Sequence, residues 1–264
     1  MKRILVSAVT VIASLITPAV AKAAIVNGGF ENGFENWQII GDFSAETSAF
    51  GTQSVEGQYQ AFLSTAFNEV LDIDKNGKEI TGGNAAPVTF ITGVAENSLE
   101  GFLGVSEFFG DDSLAEGIEG SAIKQTFSAE GGETLSFSWN FLTDESDLFP
   151  GYNDFAFATL SNGSENLFFK LADTTSNFLP SSNTDFFEET GYQTFSYKIP
   201  TSGEYTLGIG VVDVGEPTII SGLLVDKVQT VKAVPEAGST IGLLFFGTVG
   251  VVSVLKRSQR RYSH

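Results

Sequence analysis

The chain has 264 residues, with 14 Lys and Arg against 32 acidic residues, a formal net charge of −18, no Cys, and Met1 and His264 as its sole Met and His. Between those ends there is no thiolate, thioether or imidazole, which excludes disulfides, Ser-His-Asp or Cys-His catalysis, and the usual zinc, copper and haem sites. Residues 24–233 hold 7 lysines and 31 acidic residues, a charge near −24 that repels nucleic acid and anionic lipid and leaves hard, oxygen-bound cations as the metals to consider, calcium first.

The N-terminus has the layout of a secretory signal peptide. Lys2 and Arg3 precede an apolar run over 4–16, Pro18 interrupts it, and Ala21-Lys22-Ala23 puts small residues at a cleavage site. The run is short for a membrane span, so cleavage is expected, with a mature chain from about Ala24. The tandem "GFEN" at Gly29 and Gly33 is too short to be an architectural repeat.

The body reads as strands. In "ETLSFSWNF", Leu135, Phe137, Trp139 and Phe141 alternate with Ser136, Ser138 and Asn140, and Trp139 is expected in the core. "DFAFATL" repeats the theme with Phe155 and Phe157, "TFSYKI" with Phe195, Tyr197 and Ile199, and "EYTLGIGVV" with Tyr205, Leu207, Ile209 and Val211. Turn residues separate these runs in "AEGGE" at 129, "SNGSEN" at 161 and "PTSGE" at 200. Such spacing predicts an all-β fold, an antiparallel β-sandwich over 24–233. One short helix is expected near 98–105, where Leu99, Phe102 and Leu103 share a face and Asn97 is a candidate cap. The stretch "EFFGDDSLAEGIEG" after it reads as a long acidic loop.

The C-terminal end is a second membrane-length segment. Residues 238–255 are apolar and as a helix would reach about 27 Å, enough to span a bilayer. Lys256, Arg257, Arg260 and Arg261 follow, which keeps that end cytoplasmic and the body outside. Val234-Pro235-Glu236, the glycine-containing span and the basic end together resemble the PEP-CTERM sorting signal. The family's usual third residue is Pro and here it is Ala237. The resemblance implies a bacterial surface protein handled by an exosortase, its tail a temporary anchor; the plainer alternative is a single-pass membrane helix. The domain layout is thus a signal peptide over 1–23, a sandwich over 24–233 and a sorting segment over 234–264.

Two further resemblances concern the body. "VNGGFENGFENW" and "GLLVDKVQTV" are similar to the opening and closing strands of galactose-binding-like jelly rolls and carbohydrate-binding modules. "GSAIKQTF", "LSFSWNFLTDE", "YNDFAFATL", "ETGYQTFSY" and "YTLGIGVVDV" resemble blocks of PEP-CTERM surface proteins without an established activity. The first resemblance implies a jelly-roll-like sandwich with a structural calcium at Asn27, Glu31 and Asp226; the alternative is a turn at Asn27 and a hydrogen-bonded carboxylate at Asp226. A second calcium candidate, Asp72, Asp74 and Asn76 in "DIDKNGKE", has the first half of an EF-hand-type loop but Gly83 at its twelfth position, and a hairpin with an Asn76-Gly77 turn competes with it.

Trp37, Tyr59, Tyr152 and Tyr192 are candidate sugar platforms, since sugars bind flat aromatic faces beside polar groups; packing in the core or at its rim is the alternative for each. Asp111-Asp112, Glu188-Glu189 and "DESD" at 144–147 read as solvated loop charges, and no carboxylate pair is fixed at a hydrolytic spacing. Three functions are therefore expected in order. The first is a non-enzymatic surface or matrix protein associated with exopolysaccharide. The second is a calcium-stabilised carbohydrate-binding module, and the third a glycoside hydrolase.

Overall fold

The computed structural model describes residues 24–66, 72–73, 79–80, 85–87, 98–105, 117–145, 152–215 and 218–232. The signal peptide, Val234, Pro235, Glu236, the apolar tail and the basic end with Lys256, Arg257, Arg260 and Arg261 lie outside the described residues, as do Asp74 and Asn76.

The alternating runs become long strands. In chain order these are β1 (Gln38–Ile40), β2 (Asp42–Glu46), β3 (Gln60–Ser64), β4 (Asp72–Ile73), β5 (Glu79–Ile80), β6 (Ala86–Pro87), β7 (Gly117–Ala129), β8 (Thr134–Thr143), β9 (Phe155–Ser161), β10 (Asn166–Asp173), β11 (Glu188–Glu189), β12 (Gln193–Lys198), β13 (Gly203–Val214) and β14 (Ser221–Val231). One six-stranded sheet runs β1-β7-β13-β9-β10, with β6 also on β7. The second runs β11-β8-β14-β3-β2, with β12 also on β8. All recorded pairings are antiparallel. From β7 onward the chain passes from sheet to sheet, β7 to β8, β8 to β9, β10 to β11, β12 to β13 and β13 to β14, as in a jelly roll.

The core lies between the sheets. Leu135, Phe137, Trp139 and Phe141 of β8 meet Ile123 and Phe127 of β7, Leu207, Ile209 and Val211 of β13, and Leu223 and Val225 of β14. Trp139 is in this core, as its place in the alternation predicts. Burial of each such side chain stabilises the fold by about 1.5–3 kcal/mol relative to exposure.

Alternation alone predicts that the opposite face of each strand is wet, and in places it is not. Ala156, Ala158 and Leu160 of β9 face the central core, whereas Phe155 and Phe157 face a second cluster with Leu99, Leu103, Val105, Val212 and Val214. The cause is α1 (Leu99–Leu103), which lies on the outer side of the first sheet. The helix is therefore shorter than the expected 98–105, and Ser98 is its cap: its hydroxyl accepts from Gly101 N at 3.1 Å. Left-handed Gly104 ends it. A third cluster, Leu142, Leu224, Phe186, Ile220 and Ala66, forms on the outer side of the second sheet. Of the stretch expected as an acidic loop after the helix, Gly117–Gly120 belong to β7, and residues 107–116 lie outside the described residues. The short antiparallel pair β4–β5 brackets residues 74–78, an arrangement consistent with the hairpin alternative at "DIDKNGKE".

Candidate functional site

The outer face of the second sheet carries a polar row that crosses every long strand. Thr194 of β12 stands opposite Ser138 of β8, and Ser138 opposite Asp226 of β14. Gln60 of β3 precedes the Ala61–Val225 pair and continues the row to its own partner, Glu46 of β2. Its middle members, Ser138, Asp226 and Gln60, are buried. Two segments meet this face, residues 47–59 and the stretch 174–192 that contains β11, and Asp226 and Gln60 bond to them.

The holding contacts form one network. Gln60 Nε2 donates to Thr52 O at 2.7 Å, and the Tyr192 hydroxyl donates to Gln60 Oε1. Asn140 Nδ2 donates to Glu189 Oε2 at 2.7 Å, and the Thr52 hydroxyl reaches the same oxygen at 3.3 Å. Glu189 Oε1 accepts from Asn183 N at 3.0 Å, and the Thr190 hydroxyl donates to Asn140 Oδ1 at 3.2 Å. Burial first, then the carboxylates of Asp226 and Glu189, raise the Tyr192 hydroxyl well above the usual tyrosine range, so it stays a proton donor. The open part of the face is at its edge. There Thr194 and Ser196 are exposed, and Ser196 stands opposite half-buried Ser136.

At Asp226, in the middle of the row, the segment from Asn27 to Glu31 comes near β14. Asn27 has φ 54°, and its side chain binds the turn that follows: Nδ2 donates to Gly33 O at 2.8 Å and Glu35 O at 3.1 Å, and Oδ1 accepts from Asn32 N at 3.2 Å. Glu31 Oε1 accepts from Gln58 N at 2.7 Å and Tyr59 N at 2.9 Å. Asp226 Oδ2 accepts from Val55 N at 2.7 Å and Glu56 N at 2.8 Å, and Oδ1 accepts from Lys227 N at 2.6 Å. Burial pushes Asp226 up to about 6, against the lowering effect of these three N–H donors. The start of the chain also touches the last strand directly, Val228 N donating to Gly28 O at 2.9 Å.

The predicted site residues therefore part company. The segment with Asn27 and Glu31 comes near β14, which carries Asp226. Tyr59 is exposed in the residue before Gln60, and half-buried Tyr192 donates its hydroxyl to the Gln60 side chain. Tyr152 is exposed on another loop, where its carbonyl faces the Thr174 hydroxyl. Trp37 is not a platform: it is 7% exposed, stacks on Phe30 at 5.3 Å, and donates its indole N–H to Asn27 O at 3.1 Å. Of the second calcium candidate only the backbone of Asp72 is described, in β4. Gln60 and Asn140 are network residues that sequence reading passes over, and Glu189, expected as a solvated loop charge, is instead buried in β11, where its carboxylate accepts from Asn140. Asn140 was legible as a member of the polar face of β8, but its bond to Glu189 joins residues 49 apart.

A separate group of acids sits at one end of the first sheet. Glu119 of β7 stands opposite Asp213 of β13, and Asp154 lies just before β9 with Oδ1 accepting from Val214 N at 2.8 Å. All three are buried. Glu119 Oε1 has no hydrogen-bond partner among the described residues, and burial pushes this carboxyl up to about 7. Among the described residues no group of three or more acidic or histidine side chains is placed to hold a metal ion. Nor, among them, is any helix long and apolar enough to cross a membrane.

No protein family profile matches the chain, and no curated protein matches it. Several solved structures are similar. TmCBM61, in complex with beta-1,4-galactotriose, is 12% identical with a TM-score of 0.42, over 79% of this chain and 97% of that one. CBM28, a carbohydrate-binding module specific for non-crystalline cellulose, is 9% identical with a TM-score of 0.37, over 80% and 98%. The enzymatically active domain of the bacteriophage CBA120 tailspike protein 4 is 8% identical with a TM-score of 0.37, over 79% of this chain and 21% of that one. These scores carry no residue correspondence.

Proposed function

We propose that this chain is an exported, non-enzymatic surface or matrix protein that associates with extracellular polysaccharide through the outer face of its second sheet. The observation that carries the reading is the open hydroxyl edge, Thr194 and Ser196 exposed on β12 and Ser136 opposite on β8, with exposed Tyr59 in the loop that leads into β3. Small hydroxyls on a flat, rigid sheet can exchange hydrogen bonds with sugar hydroxyls, and a tyrosine face can stack on a sugar ring. The buried amides and acids of the row hold loops, which suits a scaffold better than a deep sugar pocket. Two of the solved structures above are carbohydrate-binding modules, and this reading is of the same kind, but it rests on the face itself.

The chain's address belongs to the same proposal. The signal peptide exports the body, and the segment with Val234, Pro235, Glu236 and the Lys256, Arg257, Arg260 and Arg261 cluster holds it at the membrane for an exosortase-type enzyme. A body near −24 would not bind nucleic acid.

The test is co-sedimentation of the full chain, in mild detergent, with the producing cell's exopolysaccharide. Saturable retention that weakens in Tyr59→Ala and in the double variant Thr194→Lys, Ser196→Lys supports the reading. Absence of retention, or retention that neither variant changes, would refute this face as a glycan surface. Release of reducing ends on incubation would instead favour a hydrolase.

A further inference from the structure

The resemblance to galactose-binding-like jelly rolls implies a calcium ion held by Asn27, Glu31 and Asp226, and as these donors stand they do not compose a calcium shell. Calcium takes about six to eight oxygen ligands, with carboxylates turned toward the ion. Here the carboxylates are turned toward N–H groups. Both Asp226 oxygens accept from backbone, Oδ2 from Val55 and Glu56 and Oδ1 from Lys227. Glu31 Oε1 accepts from Gln58 and Tyr59. The Asn27 amide is turned into its own turn, on Asn32, Gly33 and Glu35. Backbone N–H groups carry partial positive charge, and successive ones on a turn make an anion-binding concavity that disfavours a cation.

We infer that loop 55–59 takes the place of the metal: it is a clasp whose backbone N–H groups grip one carboxylate from an early segment and one from a late strand of the sequence, and it closes the fold without calcium. Glu31 comes from the opening segment and Asp226 from β14, the last strand. Four N–H groups of one five-residue loop serve the two, those of 55 and 56 on Asp226 and those of 58 and 59 on Glu31. Gly57, between the two pairs, has φ +66°, and a Cβ there would stand 2.2 Å from Glu31 Oε1. A side chain at 57 would thus push out the carboxylate that the loop is shaped to hold. The strand that leads into the C-terminal segment is in this way tied to the start of the chain.

Thermal unfolding and amide hydrogen exchange of the full chain in mild detergent test the clasp, with excess calcium chloride and with excess EDTA. The clasp predicts one unfolding midpoint in both, and a midpoint for Asp226→Ala that is lower by the same amount in both. It also predicts local effects: exchange at Val55 and Glu56 quickens roughly tenfold in Asp226→Ala, and at Gln58 and Tyr59 in Glu31→Ala. A calcium-induced rise that disappears in either variant would overturn the inference, because those carboxylates would then be ligands. A rise that persists in both variants places the cation elsewhere on the acidic body and leaves the clasp standing. If Asp226→Ala does not fold, Asp226→Asn and the exposed Glu31→Ala carry the same comparison.

Discussion

Glu56 acts on Asp226 in two opposed ways: its backbone N–H donates to Asp226 Oδ2 at 2.8 Å, while its own carboxylate makes Asp226 harder to ionise. The first effect depends on the loop's backbone and survives substitution of the side chain. The second does not. Glu56→Gln is therefore expected to lower the pKa of Asp226 and to stabilise the fold at neutral pH by on the order of 0.5 kcal/mol. Carboxyl titration by NMR and a thermal midpoint at neutral pH check this, and an unchanged Asp226 pKa would refute the coupling.

Stability should rise as pH falls from 8 toward 5. Burial raises Glu119 from 4.5 to about 7 and Asp226 from 3.8 to about 6. An acid whose folded pKa is raised binds its proton more tightly in the native state, so its ionisation destabilises the fold as pH climbs from the unfolded value to the folded one. Each raised group costs on the order of 3 kcal/mol above its folded pKa. Glu119→Gln should raise the midpoint at pH 8, leave it nearly unchanged at pH 4, and flatten the profile between pH 5 and 7. A midpoint for Glu119→Gln below that of the parent at pH 8 would contradict this.

Removing the Tyr192 hydroxyl tests the polar row. Tyr192→Phe deletes the donor to Gln60 Oε1 and leaves a buried amide oxygen without that partner. A loss of about 1–3 kcal/mol is expected in chemical denaturation. If the row merely filled space, the substitution would be neutral.

A core substitution sets the scale for the rest. Phe137 is fully buried and stacks on Phe195 at 4.8 Å. Phe137→Ala should cost about 3–5 kcal/mol, more than any single polar change above.

The charge of the body bears on which polymer the proposed surface would hold. Near −24, it should bind neutral polysaccharide with little dependence on salt and uronic-acid polymers weakly, the latter improving as salt screens repulsion. Retention assays on one neutral and one anionic polymer, at low and high salt, check both signs. Tighter binding of the anionic polymer at low salt would contradict the prediction.

Much of this fold was legible because strand alternation is local. The face of β8 that carries Leu135, Phe137, Trp139 and Phe141 could be assigned to the core from spacing alone, and the turns at 129, 161 and 200 punctuate it in the right places. The same rule misjudges Phe155 and Phe157, which point away from the central core, because a sequence window cannot see α1 covering the other side of the sheet. Trp37, left between a sugar platform and packing by its sequence, takes the packed place. That ring is buried by Phe30 and by a left-handed turn at Asn27, a packing decided by how the chain's start folds back.

What the sequence by itself determined is the class: strands from period-two alternation and an acidic, sulfur-free body from composition, while the export and sorting segments, read from apolar length and flanking charge, belong to the proposal. Those properties are local or additive, so a linear string carries them. Only the tertiary structure decided what Asp226, Glu31, Gln60 and Asn140 do. Each has a partner 27 to 171 residues away, and a hydrogen bond depends on a few tenths of an ångström that only folding brings about.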